Sequence, residues 1–137
     1  MRARELPLIA AALSALATAS PADAACTQAQ AAGTWAAYSV GAQSGSVYWI
    51  KCTLTIKTNG AFSAGSCIQS NGASSPASGT VKLTNAANCT YSGSITFTAD
   101  GVTSTVNQAT LSQSKELVDG VGTFLGGGFA FNMVRIK

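Results

Sequence analysis

Four cysteines and one Asn-Gly step constrain this chain more than any other feature. Cys52 stands seven residues before Asn59, and Cys67 stands seven residues after Gly60. An Asn-Gly step between stretches rich in Val, Ile, Thr and aromatics marks a two-residue type I′ hairpin, because both residues tolerate the positive φ that turn demands. A hairpin folded there sets Cys52 opposite Cys67 on one face of a sheet. Tyr48, Ile50, Leu54 and Ile56 share the parity of Cys52, so the bridge is expected to point inward. A two-residue turn puts the pair at a hydrogen-bonded rung, whose Cα separation is wide for a disulfide, and a bulge near Gly65 would relieve this. Cys26 is left to pair with Cys89, although spacing alone leaves the other connectivities open. The intervals between cysteines (26, 15 and 22) contain no C-x-x-C pair. An even count without such pairs reads as disulfides, and no metal or other cofactor is expected.

Disulfides need an oxidising compartment, and the start of the chain supplies a route to one. Met1-Arg2-Ala3-Arg4 is basic, Leu6 to Ala19 is dominated by Leu, Ile and Ala, and Ala22-Asp23-Ala24 fits an A-x-A cleavage site. Residues 1–24 therefore read as a secretory signal peptide, and residues 25–137 as a single domain, secreted or periplasmic. The apolar run of about 14 residues falls short of the roughly 20 that span a bilayer, so no membrane span is expected. Acylation of Cys26 is the alternative. It would need an apolar residue where Asp23 stands, and an unpaired Cys26.

Beyond residue 25 no long segment repeats apolar residues at helical spacing. Short stretches rich in Val, Ile, Thr, Phe, Tyr and Trp alternate with Gly, Asn, Ser and Asp, as in antiparallel sheet. Asp100-Gly101 is a second type I′ signal. Softer breaks fall at 42–45, 71–78, 85–88, 112–115 and 126–128. The intervals give eight strands, at 33–41, 46–58, 61–70, 79–84, 89–99, 102–111, 116–125 and 129–136. Short connections favour an up-and-down meander, and eight strands remove their edges by closing into a barrel. An all-β sandwich is the alternative. Small residues on the third strand opposite Leu54 and Ile56 predict a packed interior rather than a roomy pocket.

Gly33-Thr34-Trp35 opens the first strand and Arg135 lies in the last, a pattern that resembles small secreted barrels of the lipocalin and avidin type. Asn59 to Gly65, where Gly alternates with an aromatic, is similar to the second hairpin of avidin-type proteins. The resemblance implies that Trp35 packs at a closed barrel end beside Arg135, an architectural role. It carries no ligand residues across, because the multiple-Trp biotin site has no counterpart in a domain whose Trp residues are Trp35 and Trp49.

The chain has no histidine, 9% charged residues and a formal net charge of +3. Missing histidine excludes His-dependent triad hydrolases and His-ligated zinc sites. Sparse, scattered charge argues against nucleic acid as a partner. The acids beyond residue 25 are Asp100, in its turn, Glu116, beside a turn, and Asp119, inside a strand and the one carboxylate expected to be partly buried. Ser112 to Lys115 spells S-x-x-K without the S-D-N and K-T-G that accompany it in penicillin-binding enzymes, and its Lys reads as solvated. Gly126-Gly127-Gly128 lacks the Lys and helix of a phosphate loop. No catalytic residue emerges. The reading is a non-enzymatic binding or interaction barrel whose partner is a protein, a glycan or a small apolar ligand, with Trp49 and Phe62 as exposed contact residues. The alternatives are a protease- or lysozyme-inhibitor-like barrel and a structural envelope component, with an enzyme built on Asp119 last.

Overall fold

The computed structural model describes residues 25–136, so the segment read as a leader lies outside the described residues. A single 3₁₀ turn (Gln28–Ala31) precedes eight strands: β1 (Gly33–Gln43), β2 (Ser46–Ile56), β3 (Ala61–Gln69), β4 (Ser74–Asn85), β5 (Thr90–Phe97), β6 (Val102–Leu111), β7 (Leu117–Phe124) and β8 (Gly127–Arg135). Each pairs antiparallel with the next, and β8 pairs with β1, so the sheet closes on itself as an up-and-down barrel. The sandwich alternative falls. Closure follows from β8 itself, whose Phe129, Phe131 and Met133 face inward while its backbone bonds to both β1 and β7. Both disulfides form as expected, Cys52–Cys67 and Cys26–Cys89, and the second leaves no free Cys26 thiol for acylation.

Two turns differ from expectation. At Asn59-Gly60 the loop holds three residues. The Lys57 amide donates to the Ala61 carbonyl and the Gly60 amide to the Lys57 carbonyl, enclosing Thr58, Asn59 and Gly60. Gly60 alone takes positive φ, +88°, and the Asn59 side chain accepts from the Ala61 amide. One extra residue shifts the register by one and flips the faces of β3 next to the turn. Ile56 now opposes Phe62 and Leu54 opposes Ala64. Phe62 is therefore buried inside the barrel, and its assignment to an exposed contact surface is corrected. An extra β3 residue at Gly65-Ser66 then restores the original parity, so Cys67 still meets Cys52. Their Cα separation of 4.3 Å is that of a non-hydrogen-bonded rung, not the wide rung that a two-residue turn implies.

The second difference has no such consequence. The β5–β6 loop spans four residues, 98–101, with Phe97 opposite Val102. Two extra residues preserve parity, so the side chains beside this turn keep their expected faces, and the faces of β6 exchange only at a bulge further on, between Val106 and Ala109. Type I′ geometry occurs instead at Ser44-Gly45 and Leu125-Gly126, where both residues of each pair have positive φ.

β4 begins at Ser74, five residues earlier than expected, and runs through Pro76. Pro cannot donate to a ladder, but Pro76 lies opposite the β3 bulge, between the Ala64–Ala77 and Cys67–Ser75 rungs, where regular pairing is interrupted. The β3–β4 loop repeats the first turn's chemistry. The Gly72 amide donates to the Gln69 carbonyl, Asn71 accepts from the Ala73 amide, and Gly72 has φ +82°.

These sister turns permit a paired test. A side chain at Gly60 would overlap the Val81 carbonyl oxygen, whereas nothing lies near Gly72. Gly72→Ala should cost about 1 kcal/mol of left-handed strain, and Gly60→Ala about 2–3 kcal/mol because backbone must also move. Urea denaturation of both variants measures the difference.

Candidate functional site

The barrel has unlike ends. The loops β2–β3, β4–β5 and β6–β7 share one end with the N-terminal segment, and the hairpins β1–β2, β3–β4, β5–β6 and β7–β8 form the other. At the first end residues 26–32 cross the barrel as a plug. The Cys26 amide donates to the Ala86 carbonyl, and Cys26 is bridged to Cys89 in the β4–β5 loop. The Gln28 side chain donates to the Val81 carbonyl and accepts from the Leu83 amide. The Tyr91 hydroxyl donates to the Thr27 carbonyl at 2.9 Å, and burial raises this phenol above its ordinary pKa.

Trp35 and Arg135 complete this closure. Trp35 is fully buried, its indole N–H donating to the Ala31 carbonyl at 3.0 Å. The Arg135 guanidinium stacks 4.3 Å from the Trp35 ring and donates to the carbonyls of Gln30, Ala32 and Lys115. A Cβ on Gly33 would collide with Arg135 Nη1, so glycine two residues before Trp35 makes room for the cation. G-x-W and the distant Arg135 thus form one packing unit. Lys115 is also drawn in: its Nζ lies 2.9 Å from Cys26 Sγ and 3.4 Å from Cys89 Sγ. It is half-buried rather than the solvated lysine expected, and the Ser112 hydroxyl bonds with Ser114 and Leu117, so the S-x-x-K pattern builds no nucleophile.

Behind the plug lies a cavity of about 330 Å³. This corrects the expectation of a packed interior. The physical reason is a recurring pairing of aromatic residues with cross-strand glycines. Tyr48 opposes Gly41, Phe62 opposes Gly79, Phe129 opposes Gly122 and Phe131 opposes Gly120. In each pair the aromatic occupies the position a glycine Cβ would take. The rings lie against the wall instead of projecting to the axis, and the centre stays open. Ala37, Ser39, Ser104 and Ala109 add little bulk. All five phenylalanines of the chain line the cavity, with Ile50, Leu54, Ile56, Val102, Val106 and Met133 among the aliphatic neighbours.

The mouth is at the hairpin end. Gln43, Tyr48, Gln69, Asp100, Phe124 and Leu125 line it. The Gln43 side chain donates to the Leu125 carbonyl, and the Gln69 amide reaches Asp100 Oδ2 at 3.4 Å. Tyr48 packs edge-on against Phe124, with ring centres 4.9 Å apart. Its buried hydroxyl has no hydrogen-bond partner among the described residues, and burial raises its pKa above the ordinary phenol value, which keeps it neutral.

The remaining sequence candidates lie elsewhere. Trp49 is on the barrel exterior, half-buried, beside Tyr38, with Lys51 Nζ 5.4 Å from its ring centre. Asp119 is exposed on the outer wall, not partly buried as expected, and accepts from the Asn132 side chain. No group of three or more His, Cys, Asp or Glu that would hold a metal occurs among the described residues. The sequence reading missed the cavity and most of its lining. The available signal was the glycines of β1, β4 and β7, but their aromatic partners emerge only once the register is known.

No family model matches the chain, and no curated protein matches it in sequence. Solved structures do share its shape. A redesigned β-barrel superposes with a TM-score of 0.62 at 18% identity, covering 82% of this chain and 99% of its own. The redesigned β-barrel mFAP1, bound to DFHBI, gives 0.61 at 14% identity, covering 80% and 98%. A de novo designed fluorescence-activating β-barrel gives 0.60 at 16% identity, covering 81% and 99%. At these identities the similarity establishes the eight-stranded barrel fold.

The closed end yields its own prediction. Arg135→Leu strands three carbonyls and exposes the Trp35 face, and should cost about 3 kcal/mol. Arg135→Lys should recover less than half of that, because an ammonium cannot reproduce the planar fork. Thermal and urea unfolding of the two variants checks the ordering.

Proposed function

We propose that this protein is an exported, non-enzymatic binding barrel that takes a small, largely apolar ligand into the cavity between the hairpin mouth and the Trp35–Arg135 plug. The observation that carries the reading is the cavity itself, about 330 Å³, walled by Phe and aliphatic side chains and shut at one end. That volume falls in the range of small-molecule sites, and the few polar groups near the mouth are the usual means of orienting a ligand. The solved barrels of like shape include ones bound to the small molecule DFHBI, which supports a ligand role without naming this protein's ligand. Two disulfides favour an oxidising compartment, and no helix among the described residues is long and apolar enough to cross a membrane.

A protein-binding reading rests on the exterior. Val121, Ala130, Val40 and Trp49 occupy one continuous row across β7, β8, β1 and β2, and Val121 and Val40 are exposed. The inhibitor-like and structural alternatives would use such a surface. The Trp49→Ala variant separates the two readings, since it alters the outer wall and leaves the cavity lining intact.

The direct test is titration with N-phenyl-1-naphthylamine, a neutral apolar dye that brightens in dry surroundings. The wild-type protein should bind it at one site with a micromolar dissociation constant, on the order of −8 kcal/mol. Ala37→Phe, which fills the cavity from the β1 wall, should weaken binding at least about tenfold, or 1.4 kcal/mol, while keeping a cooperative melt. Equal binding by a folded Ala37→Phe protein, or no binding by the wild type, would remove the cavity as the functional site.

A further inference from the structure

The distribution of charge around the cavity carries a statement about its ligand. Although the chain is net positive, no Lys or Arg lines the cavity or its mouth among the described residues. Lys51 lies over Tyr38 and Trp49 on the outer wall. Lys57 sits in the β2–β3 loop at the plugged end, and Lys82 is exposed on β4 between the inward-facing Val81 and Leu83. Lys115 and Arg135 are held at the plug. Among the described residues the one charged group bordering the cavity is Asp100, in the β5–β6 hairpin at the mouth. Every other polar group there is neutral: Gln43, Gln69, Ser39, Ser104 and the Tyr48 phenol.

From this asymmetry we infer that the cavity is built for a cationic amphiphile, with its apolar body among the phenylalanines and its ammonium-type head at the mouth beside Asp100. A carboxylate head would lie next to Asp100 with no cation to offset the repulsion, and moving deeper would strip it of water without a partner. A protonated amine gains the same carboxylate's attraction while its head stays partly hydrated. The Gln69 amide contact with Asp100 Oδ2 helps hold that carboxylate over the opening. Fatty acids and other anionic amphiphiles are thereby disfavoured, and neutral ones are intermediate.

This inference rests on the cavity being a ligand site, and the test keeps the two claims apart. Isothermal titration calorimetry at pH 7.4 and low salt would compare decylamine, 1-decanol and decanoate, which share a chain and differ in head charge. The expected order is amine, then alcohol, then carboxylate, with about a tenfold gap between the charged probes from attraction on one side and repulsion on the other. In 0.5 M salt the gap should narrow, and in Asp100→Asn the ratio of amine to carboxylate affinity should fall to within about twofold. Decanol binding with no preference for amine over carboxylate would overturn the charge assignment and leave the ligand site standing. A preference unchanged in Asp100→Asn would overturn Asp100 as its source. Failure of all three probes to bind would remove the ligand site and this inference together.

Discussion

The rung that pairs Trp35 with Arg135 joins positions near the two ends of the described sequence, and the barrel depends on it. Each hairpin can form from neighbouring sequence, but the β1–β8 ladder must bring together segments separated by nearly the whole domain. Closing so long a loop is entropically unfavourable before any contact offsets it. The fold concentrates its strongest polar interactions where that cost falls. One guanidinium satisfies three carbonyls from two separate segments and stacks on a buried indole, while a disulfide ties residue 26 into the β4–β5 loop. A bridge enclosing that many residues removes about 4 kcal/mol of chain entropy from the unfolded state.

With one end fixed in this way, the interior tolerates empty volume. An unfilled apolar cavity forfeits dispersion contacts, and its cost grows with its size. Here the loss is limited because the rings are not left hanging. Each of four aromatics rests on a glycine of an adjacent strand, which shields glycine backbone from water and restrains the ring at once. Glycine, ordinarily a weak strand former, becomes the feature that permits a hollow barrel with an ordered aromatic lining.

How much of this was legible in the chain depends on parity. The eight strands followed from alternation and turn residues, while closure was the favoured of two architectures and the Cys26–Cys89 bridge came by elimination once Cys52 was set opposite Cys67. The Cys52–Cys67 pairing was right although the turn between them was not, because the extra loop residue at Thr58 to Gly60 and the bulge at Gly65-Ser66 cancel by the time the cysteines meet. Between those two irregularities the faces are exchanged, which is why Phe62 was assigned to the surface. The four-residue β5–β6 loop shifts register by two and moved no side chain to a new face. The Trp35–Arg135 contact was accessible through resemblance, and Gly33's part in it was not. The cavity was the least legible feature, since it depends on which glycine lies across from which ring, and a single misplaced residue scrambles those pairs.

The placement of the plug has a geometric corollary. Residue 25 precedes the plug and residue 136 follows the last rung of β8, so both ends of the described chain emerge at the closed end, on the far side from the hairpins. A linker, a surface or a second domain joined at either end would hold the barrel by its base and leave the opening facing away. The same polarity means that the cavity opens past four hairpin tips, whose residues can vary with little effect on the closure opposite. The opening and the polar closure thus lie at opposite poles of the molecule, and the residues of one can change largely without disturbing the other.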